Sequence, residues 1–338
     1  MKRIALLATG GTISMKRDSI TGLAVPTLSG IELLEQIPEP LLDCDVDVVE
    51  MDRVGGGQLT TTLFFKIAET IRDLVRTNDY QGFVITQGTD AMEESGYLLD
   101  LLLDIPHPVV ITGSMRNASE LGYDGIANLH QALMVANCPD SWDRGVTIVL
   151  SNEIHSAVDA VKTDTSHLQT FESPGKGPMG RIMKNVVSYF HEPRQKKDHY
   201  KAKHVESRVV IIKAGIGEDG QIFKQIPPDL VDGYVIEGTG VGNGQYWMEE
   251  WIEEQVQLGK PVIITSRCPN GFVDMVYGYP GSSSRLIQKG AIQGIGLNSM
   301  KARMKLIAIL GQTKDMTQIK KFFEGCDISY EKPEFNIK

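Results

Sequence analysis

The sequence predicts an α/β protein of two domains: a larger N-terminal doubly wound parallel sheet and a smaller C-terminal α/β unit. Three observations carry this. Short apolar runs alternate with helical segments in both halves, the pattern of a parallel sheet covered on both faces. The 338 residues are comfortable for two domains. Between the halves, residues 191–204 read HEPRQKKDHYKAKH, with almost no aliphatic side chain to give to a core. The expected division is residues 1–190, a solvated linker at 191–206, and residues 207–338. An anion-binding stripe is the other reading of that basic stretch.

The first apolar run, residues 4–8, stops at glycines and reads as a buried strand. Residues 29–32, Ser-Gly-Ile-Glu, open a short helix with a capping-box pattern. Residues 46–51 are strand-like. Residues 60–77 carry Leu63, Phe64, Ile67, Ala68, Ile71, Leu74 and Val75 on one helical face. Strands at 82–86, 108–112 and 146–150 then alternate with helices at 91–103 and 125–136. In the second half the expected strands are 209–212, 234–236 and 262–265. The expected helices are 247–256, 298–310 and 317–323.

Composition narrows the class. Hydrophobic residues make up 41% and charged residues 23%, as in ordinary globular proteins. A chain this size builds cores without staples. The net charge of −9 argues against a nucleic-acid surface. Cys44, Cys138, Cys268 and Cys326 are scattered, with no CxxC spacing and no histidine cluster, so neither a disulfide framework nor a zinc site is expected. Free thiols fit a reducing compartment. The run at 4–8 is shorter than the roughly 7–15 residues of a signal core. No run approaches the roughly 18 residues of a membrane span. The expectation is a cytoplasmic protein with no membrane partner.

Ligands of open parallel sheets gather outside the carboxyl ends of the strands. There the chain places Thr9-Gly-Gly-Thr-Ile13, Thr86-Gln-Gly-Thr-Asp90 and Thr112-Gly-Ser-Met115. Glycine lets backbone N–H groups approach a ligand closely; the hydroxyls of these blocks, Thr9 and Thr112 among them, and Asp90 then face the same crevice, and Ser114 and Met115 line the same side. Singly, each motif stays open. Thr-Gly-Gly-Thr is a tight turn or a phosphate cradle, without the GxGxxG or GK[ST] spacing. Asp90 alone caps the following helix. Lys162 alone is a surface lysine.

The ordered set is more specific. The blocks ATGGTI (8–13), TQGTDAMEE (86–94), ITGSMR (111–116) with YDGIAN (123–128), AVKTDT (160–165), GTGVGNG (238–244) and KAR (301–303) resemble the bacterial-type asparaginase/glutaminase family, in its cytoplasmic, type I-like form, nearly end to end. The resemblance implies a two-domain asparaginase-like fold and an amidohydrolase, most directly one converting L-asparagine and water to L-aspartate and ammonia. It implies Thr12 as nucleophile, with Thr89, Asp90 and Lys162 completing the catalytic set. It implies no metal and no organic cofactor. It also implies a small-molecule amide substrate and a homodimer or homotetramer, with sites formed between the large domain of one subunit and the small domain of another. A threonine hydroxyl needs a base to become a nucleophile. No histidine motif is offered for that task, and a lysine withdrawn from water can perform it. Asp90 would steer Lys162 and grip the substrate's amino group. Gly11 and Gly88 offer backbone donors for an oxyanion, worth roughly 3–4 kcal/mol each.

Three positions depart from the family pattern. The tyrosine expected after the first strand is missing: no tyrosine precedes Tyr80, and Leu23 or Ala24 stands in its place. Ser19, Thr21 and Thr27 are the hydroxyls nearest in sequence. Gly55, Gly56 and Gly57, followed by Gln58, replace a serine that helps hold the substrate's carboxylate. Backbone amides of Gly57 and Gln58, at the start of the next helix, remain able to bind an anion. Gln245 stands where many members carry asparagine. These changes gather at the substrate's amino-acid end. They leave two alternatives beside asparagine hydrolysis: the same chemistry on another amide, or a binding protein without turnover. The loop 14–27, with Gly22, has the composition of a lid.

Overall fold

The computed structural model describes residues 3–38, 44–77, 79–193 and 198–325. The chain divides into two compact units, Met1–Glu206 and Ser207–Lys338.

The first unit begins with β1 (Arg3–Gly10), a hairpin of β2 (Met15–Arg17) and β3 (Ala24–Pro26), α1 (Gly30–Leu34) and β4 (Asp45–Val54). Then come α2 (Thr61–Arg76), β5 (Gly82–Thr86), α3 (Met92–Leu102), β6 (Val109–Thr112), α4 (Gly125–Asn137) and β7 (Val146–Leu150). The unit closes with β8 (Glu153–Ser156), β9 (Val161–Lys162), β10 (Phe171–Glu172), β11 (Gly180–Met183) and β12 (Val186–Tyr189).

Local chemistry explains these elements. Ile4, Ala5, Leu6 and Leu7 are all fully buried, as a continuous apolar run on a strand covered on both faces should be. Ser29 and Glu32 form the reciprocal capping box that starts α1. Thr60 caps α2 by accepting from the Leu63 amide, and Leu63, Phe64, Ile67, Ala68 and Ile71 bury one stripe of that helix.

The strand order of the large sheet is β12-β11-β8-β7-β6-β5-β1-β4. From β4 to β7 the neighbours are parallel. The chain leaves β1 for β4 on one side and returns to β5 on the other. The carboxyl ends of β1 and β5 therefore flank a topological switch point, where ligands of such sheets bind. The expected parallel sheet is extended by an antiparallel edge, since β8, β11 and β12 pair antiparallel. The two hairpin turns there are Ser151-Asn152 and Lys184-Asn185, all four at positive φ. Such mirror-image turns match the twist of antiparallel strands, but neither pair carries the glycine that would mark it in sequence.

The second unit runs β13 (Val209–Lys213), α5 (Gln221–Lys224), β14 (Gly233–Gly238), α6 (Met248–Gln257), β15 (Val262–Ser266), α7 (Ser283–Gln288), β16 (Ile292–Gln293), α8 (Ser299–Leu310) and α9 (Met316–Glu324). Its four strands form a parallel sheet in chain order. Trp251 sits edge-on to both Tyr234 and Trp247 in its core.

Two expectations need adjustment. Part of the linker call at 191–206, residues 194–197, lies outside the described residues. Of the remainder, Tyr200 and Val205 are buried, so the segment is not solvated throughout. The Tyr200 amide donates to Leu101 O at 2.8 Å, and the Thr61 hydroxyl donates to Val205 O at 2.8 Å. The loop 14–27 contains the β2–β3 hairpin, and Asp18 ties its tip by accepting from the Ile20 and Thr21 amides. Cys44, Cys138 and Cys268 form no disulfide among the described residues, while Cys326 lies outside them. Among the described residues, no helix is long and apolar enough to cross a membrane.

Candidate active site

Three glycine-bearing turns meet at the switch point. Gly11, at φ 82°, lies against the turn after β5: a Cβ there would fall 2.1 Å from Gly88 N and 2.5 Å from Gln87 C. A Cβ on Gly88 would sit 3.6 Å from Gly56 Cα, and one on Gly56 would sit 3.0 Å from an Asp90 carboxylate oxygen. The turns that carry Thr12, Gly57 and Thr89 are thus in contact because their glycines have no side chains.

The strand ends beneath are laced together. The Thr9 hydroxyl donates to Thr86 O at 2.8 Å, the Gln87 amide to Thr112 O at 3.0 Å, and the Thr112 hydroxyl to Val149 O at 2.7 Å. Thr9 and Thr112, read in sequence as crevice hydroxyls, therefore hold neighbouring strands. Gln87 is also internal: it is fully buried and accepts from the Ser95 hydroxyl at 2.9 Å.

Thr12 opens a single 3-10 turn, Thr12–Ser14, and is partly buried. The Ser14 amide and hydroxyl both donate to Gly11 O, at 3.0 and 2.9 Å. Thr89 is 5% exposed. Its hydroxyl accepts from Lys162 Nζ at 2.9 Å and donates to the Met115 sulfur at 3.5 Å. Lys162 Nζ also donates to Asp90 Oδ1 at 2.8 Å. The lysine side chain is 14% exposed and the aspartate 78%. The ammonium is therefore drawn inward while the carboxylate keeps its hydration, so this pair adds little to fold stability. Ala91, not Asp90, occupies the N-cap of α3, and Asp90 spends its carboxylate on Lys162 rather than on a cap.

Lys162 arrives on a ribbon separate from the main sheet. It pairs with Phe171 in β9–β10, and the Thr163 amide continues the ladder to Thr170 O at 2.8 Å. Behind this ribbon, His155 bonds Ser173, the residue after β10, at 2.9 Å, and Glu153 at 3.3 Å. Arg181 donates to Glu153 at 2.7 Å. A serine–histidine–acid chain thus exists, but all three residues are buried, so it anchors the ribbon rather than meeting a substrate. Burial holds the His155 imidazole below its ordinary range, against the opposing pull of Glu153.

The remaining sequence candidates fall as follows. Ser114 is fully buried and gives its hydroxyl to Arg116 O at 2.8 Å. Met115 is partly buried and reaches Thr89. Gly57 and Gln58 are exposed, and the Gln58 side chain accepts from the Gly55 amide at 3.0 Å. A Cβ on Gly57 would meet nothing within 4 Å, so that side of the crevice is open. In the second unit, Gln245 donates to Gly215 O at 2.6 Å, and Lys301 is 2% exposed. Among the described residues, no group of three or more His, Cys, Asp or Glu side chains is placed to hold a metal ion.

Three residues near the site drew no role from the sequence, although the YDGIAN block contains them. Asp124 accepts from the Met115 amide at 3.1 Å and the Arg116 amide at 3.0 Å. Asn128 donates to Gly113 O at 3.0 Å and to Asp124 at 2.9 Å. The Tyr123 hydroxyl donates to Ile13 O, inside the Thr12 turn.

Comparison with known proteins agrees with this architecture. Residues 3–195 match the family model described as Asparaginase, N-terminal, and residues 208–323 match the Glutaminase/Asparaginase C-terminal domain. An L-asparaginase of Bacillus licheniformis is 33% identical over 314 residues, covering 93% of this chain and 97% of that protein. L-asparaginase 2 of Escherichia coli K12 is 31% identical over 337 residues, covering 96% and 93%. The crystal structure of a probable cytoplasmic L-asparaginase from Campylobacter jejuni superposes with a TM-score of 0.84 at 25% identity, over 96% of this chain and 99% of that one.

Proposed function

This chain belongs to the bacterial-type asparaginase family, and from that premise we propose that it hydrolyses the side-chain amide of L-asparagine to give L-aspartate and ammonia. The single observation that carries the reading is the chain Thr89–Lys162–Asp90. The lysine ammonium lies 2.9 Å from the Thr89 hydroxyl and 2.8 Å from Asp90, beside the turn that bears Thr12.

In this reading the Thr12 oxygen attacks the amide carbonyl. With Lys162 acting as the free amine, the Thr12 proton passes through Thr89 to Lys162 and on to the departing nitrogen, which leaves as ammonia. The acyl group remains as an ester on Thr12. Water, deprotonated by the same relay, then splits the ester, releasing the acid and restoring the hydroxyl. Backbone amides of Gly11 and Gly88 stabilise the oxyanion. Asp90 orients Lys162 and, with its exposed oxygen, receives the substrate's ammonium. Amides of the Gly57–Gln58 turn receive its carboxylate. The Thr12 site needs no metal in this scheme.

We propose a cytoplasmic enzyme that works as a homodimer or homotetramer. The free thiols of Cys138 and Cys268 support the first part. Exposed Phe272, Met275, Val276, Tyr277 and Tyr279 in the second unit support the second, as an apolar surface of the kind that self-association covers. Light scattering that finds a monomer at micromolar concentration overturns the oligomer.

The deciding assay is ammonia release by the purified protein from asparagine, glutamine and a panel of other primary and secondary amides. Asparagine is expected to be the best substrate. Faster turnover of a bulkier amide would fit the open side at Gly57 and displace asparagine. Binding without turnover of any amide would remove the enzymatic reading.

A further inference from the structure

The Thr12 turn is held by a segment far away in sequence. The Tyr123 hydroxyl donates to the carbonyl of Ile13 across 110 residues of chain. Two more bonds join the same stretches: the Ala118 amide to Met15 O at 2.9 Å, and the Arg17 amide to the Ser119 hydroxyl at 2.9 Å. The start of the 113–124 loop carries Met115, whose sulfur accepts from Thr89. One loop therefore touches the surroundings of both threonines.

The tyrosine is rigidly seated. Its ring lies across the first residue of α4, where a Cβ on Gly125 would fall 2.3 Å from the phenol oxygen and 2.4 Å from ring carbons. The ring also packs against the core cluster that contains Ile13 and Leu129. Burial first, and then the Asp124 carboxylate, keep the phenol protonated well above its ordinary range, so it remains a donor at every assay pH.

We propose that Tyr123 is a positioning residue: by holding the Ile13 carbonyl it fixes the Thr12–Ser14 turn, and with it the Thr12 hydroxyl. This rests on Thr12 as the nucleophile. Displacement of a reacting group by about 1 Å costs on the order of 10²-fold in rate, so a single anchoring hydrogen bond can govern turnover without touching substrate.

The test compares Tyr123→Phe with Tyr189→Phe. Tyr189 is a second partly buried tyrosine, bonded through its hydroxyl to Ser141 at 2.8 Å, on the edge strand β12. Tyr123→Phe is expected to lower kcat by about 10-fold, a fraction of that positional sensitivity, and to leave KM nearly unchanged. Amide hydrogen exchange at Ser14 and Arg17 is expected to quicken. Tyr189→Phe is expected to change neither. Unchanged kcat or unchanged exchange in Tyr123→Phe overturns the proposal, as does an equal loss of kcat in Tyr189→Phe. A wild-type protein that turns over no amide defeats the proposed function instead. The exchange then decides Tyr123 by itself, with faster exchange supporting the anchor and unchanged exchange removing it.

Discussion

Substitution of Gly11 by alanine is the sharpest perturbation of the site's frame. The residue sits at φ 82°, ψ −177°, a region essentially reserved for glycine. Holding alanine there costs about 1–3 kcal/mol. The new Cβ would also lie 2.1 Å from Gly88 N and 2.5 Å from Gln87 C, against backbone that cannot rotate away. Relief of that overlap costs a further 1–3 kcal/mol, roughly, as in other overpacked sites. A central loss of about 4 kcal/mol lowers Tm by roughly 8–16 °C at the 2–4 °C per kcal/mol of a domain this size. The turn bearing Thr12 would be pushed from the turn bearing Thr89, so ammonia release should fall about 10²-fold or more even where the protein stays folded. Gly57→Ala is the matched control, because a Cβ there meets nothing within 4 Å. It should leave Tm unchanged or raise it slightly, gaining up to about 1 kcal/mol from a stiffer unfolded chain. The assays are calorimetry and ammonia release at fixed protein concentration. A Gly11→Ala protein within about 2 °C of wild type, by the same scaling, with full turnover would refute the claim that the two turns abut through glycine.

Two more perturbations test the relay and its support. Lys162→Met removes both the Thr89 and the Asp90 bonds and should cut turnover by about 10²–10⁴-fold, with far-ultraviolet circular dichroism unchanged. Retention of half the activity would exclude Lys162 from proton transfer. His155 and Glu153 set an acid limit on stability. Burial depresses the His155 value in the folded state, so the unfolded chain takes the proton first. Stability is then complete above the ordinary 6.5 and lost as pH falls through the lower folded value. Burial raises Glu153, but hydrogen bonds from Gln169 and Arg181 outweigh it, so a second loss begins below its ordinary 4.5. His155→Gln should flatten urea midpoints between those two values, and identical slopes in variant and wild type would show that His155 does not titrate on unfolding.

The parts of the site legible in sequence share one property: each sits on a short block of chain whose meaning is local. Thr12, Thr89, Asp90 and Lys162 stood in such blocks, and two of them, Thr89 and Asp90, converge on the ammonium of Lys162. The alternating apolar runs located β1, β5, β6 and β7 because strands buried on both faces cannot hide their composition. The antiparallel edge was illegible for the converse reason. β8, β11 and β12 are four residues each, and their turns use Ser151-Asn152 and Lys184-Asn185 without glycine. The β2–β3 hairpin is almost wholly exposed, so no periodicity marks it. Tyr123 could not be linked to Ile13 from sequence, since only the folded sheet brings residues so distant together. The hydroxyls of Thr9 and Thr112 looked like ligand groups because a strand-end threonine that binds a substrate and one that binds the next strand are written identically.

The two-residue strand that delivers Lys162 gives the site unequal halves. Thr12 and Thr89 follow β1 and β5, neighbouring interior strands of an eight-stranded sheet. Removing them from place means opening the whole unit. Lys162 rides instead on the two-stranded β9–β10 ribbon, outside that sheet. Such a ribbon opens at a free energy far below that of global unfolding. Mild heat or denaturant should therefore silence the enzyme before it melts, by withdrawing the lysine while both threonines stay where they were.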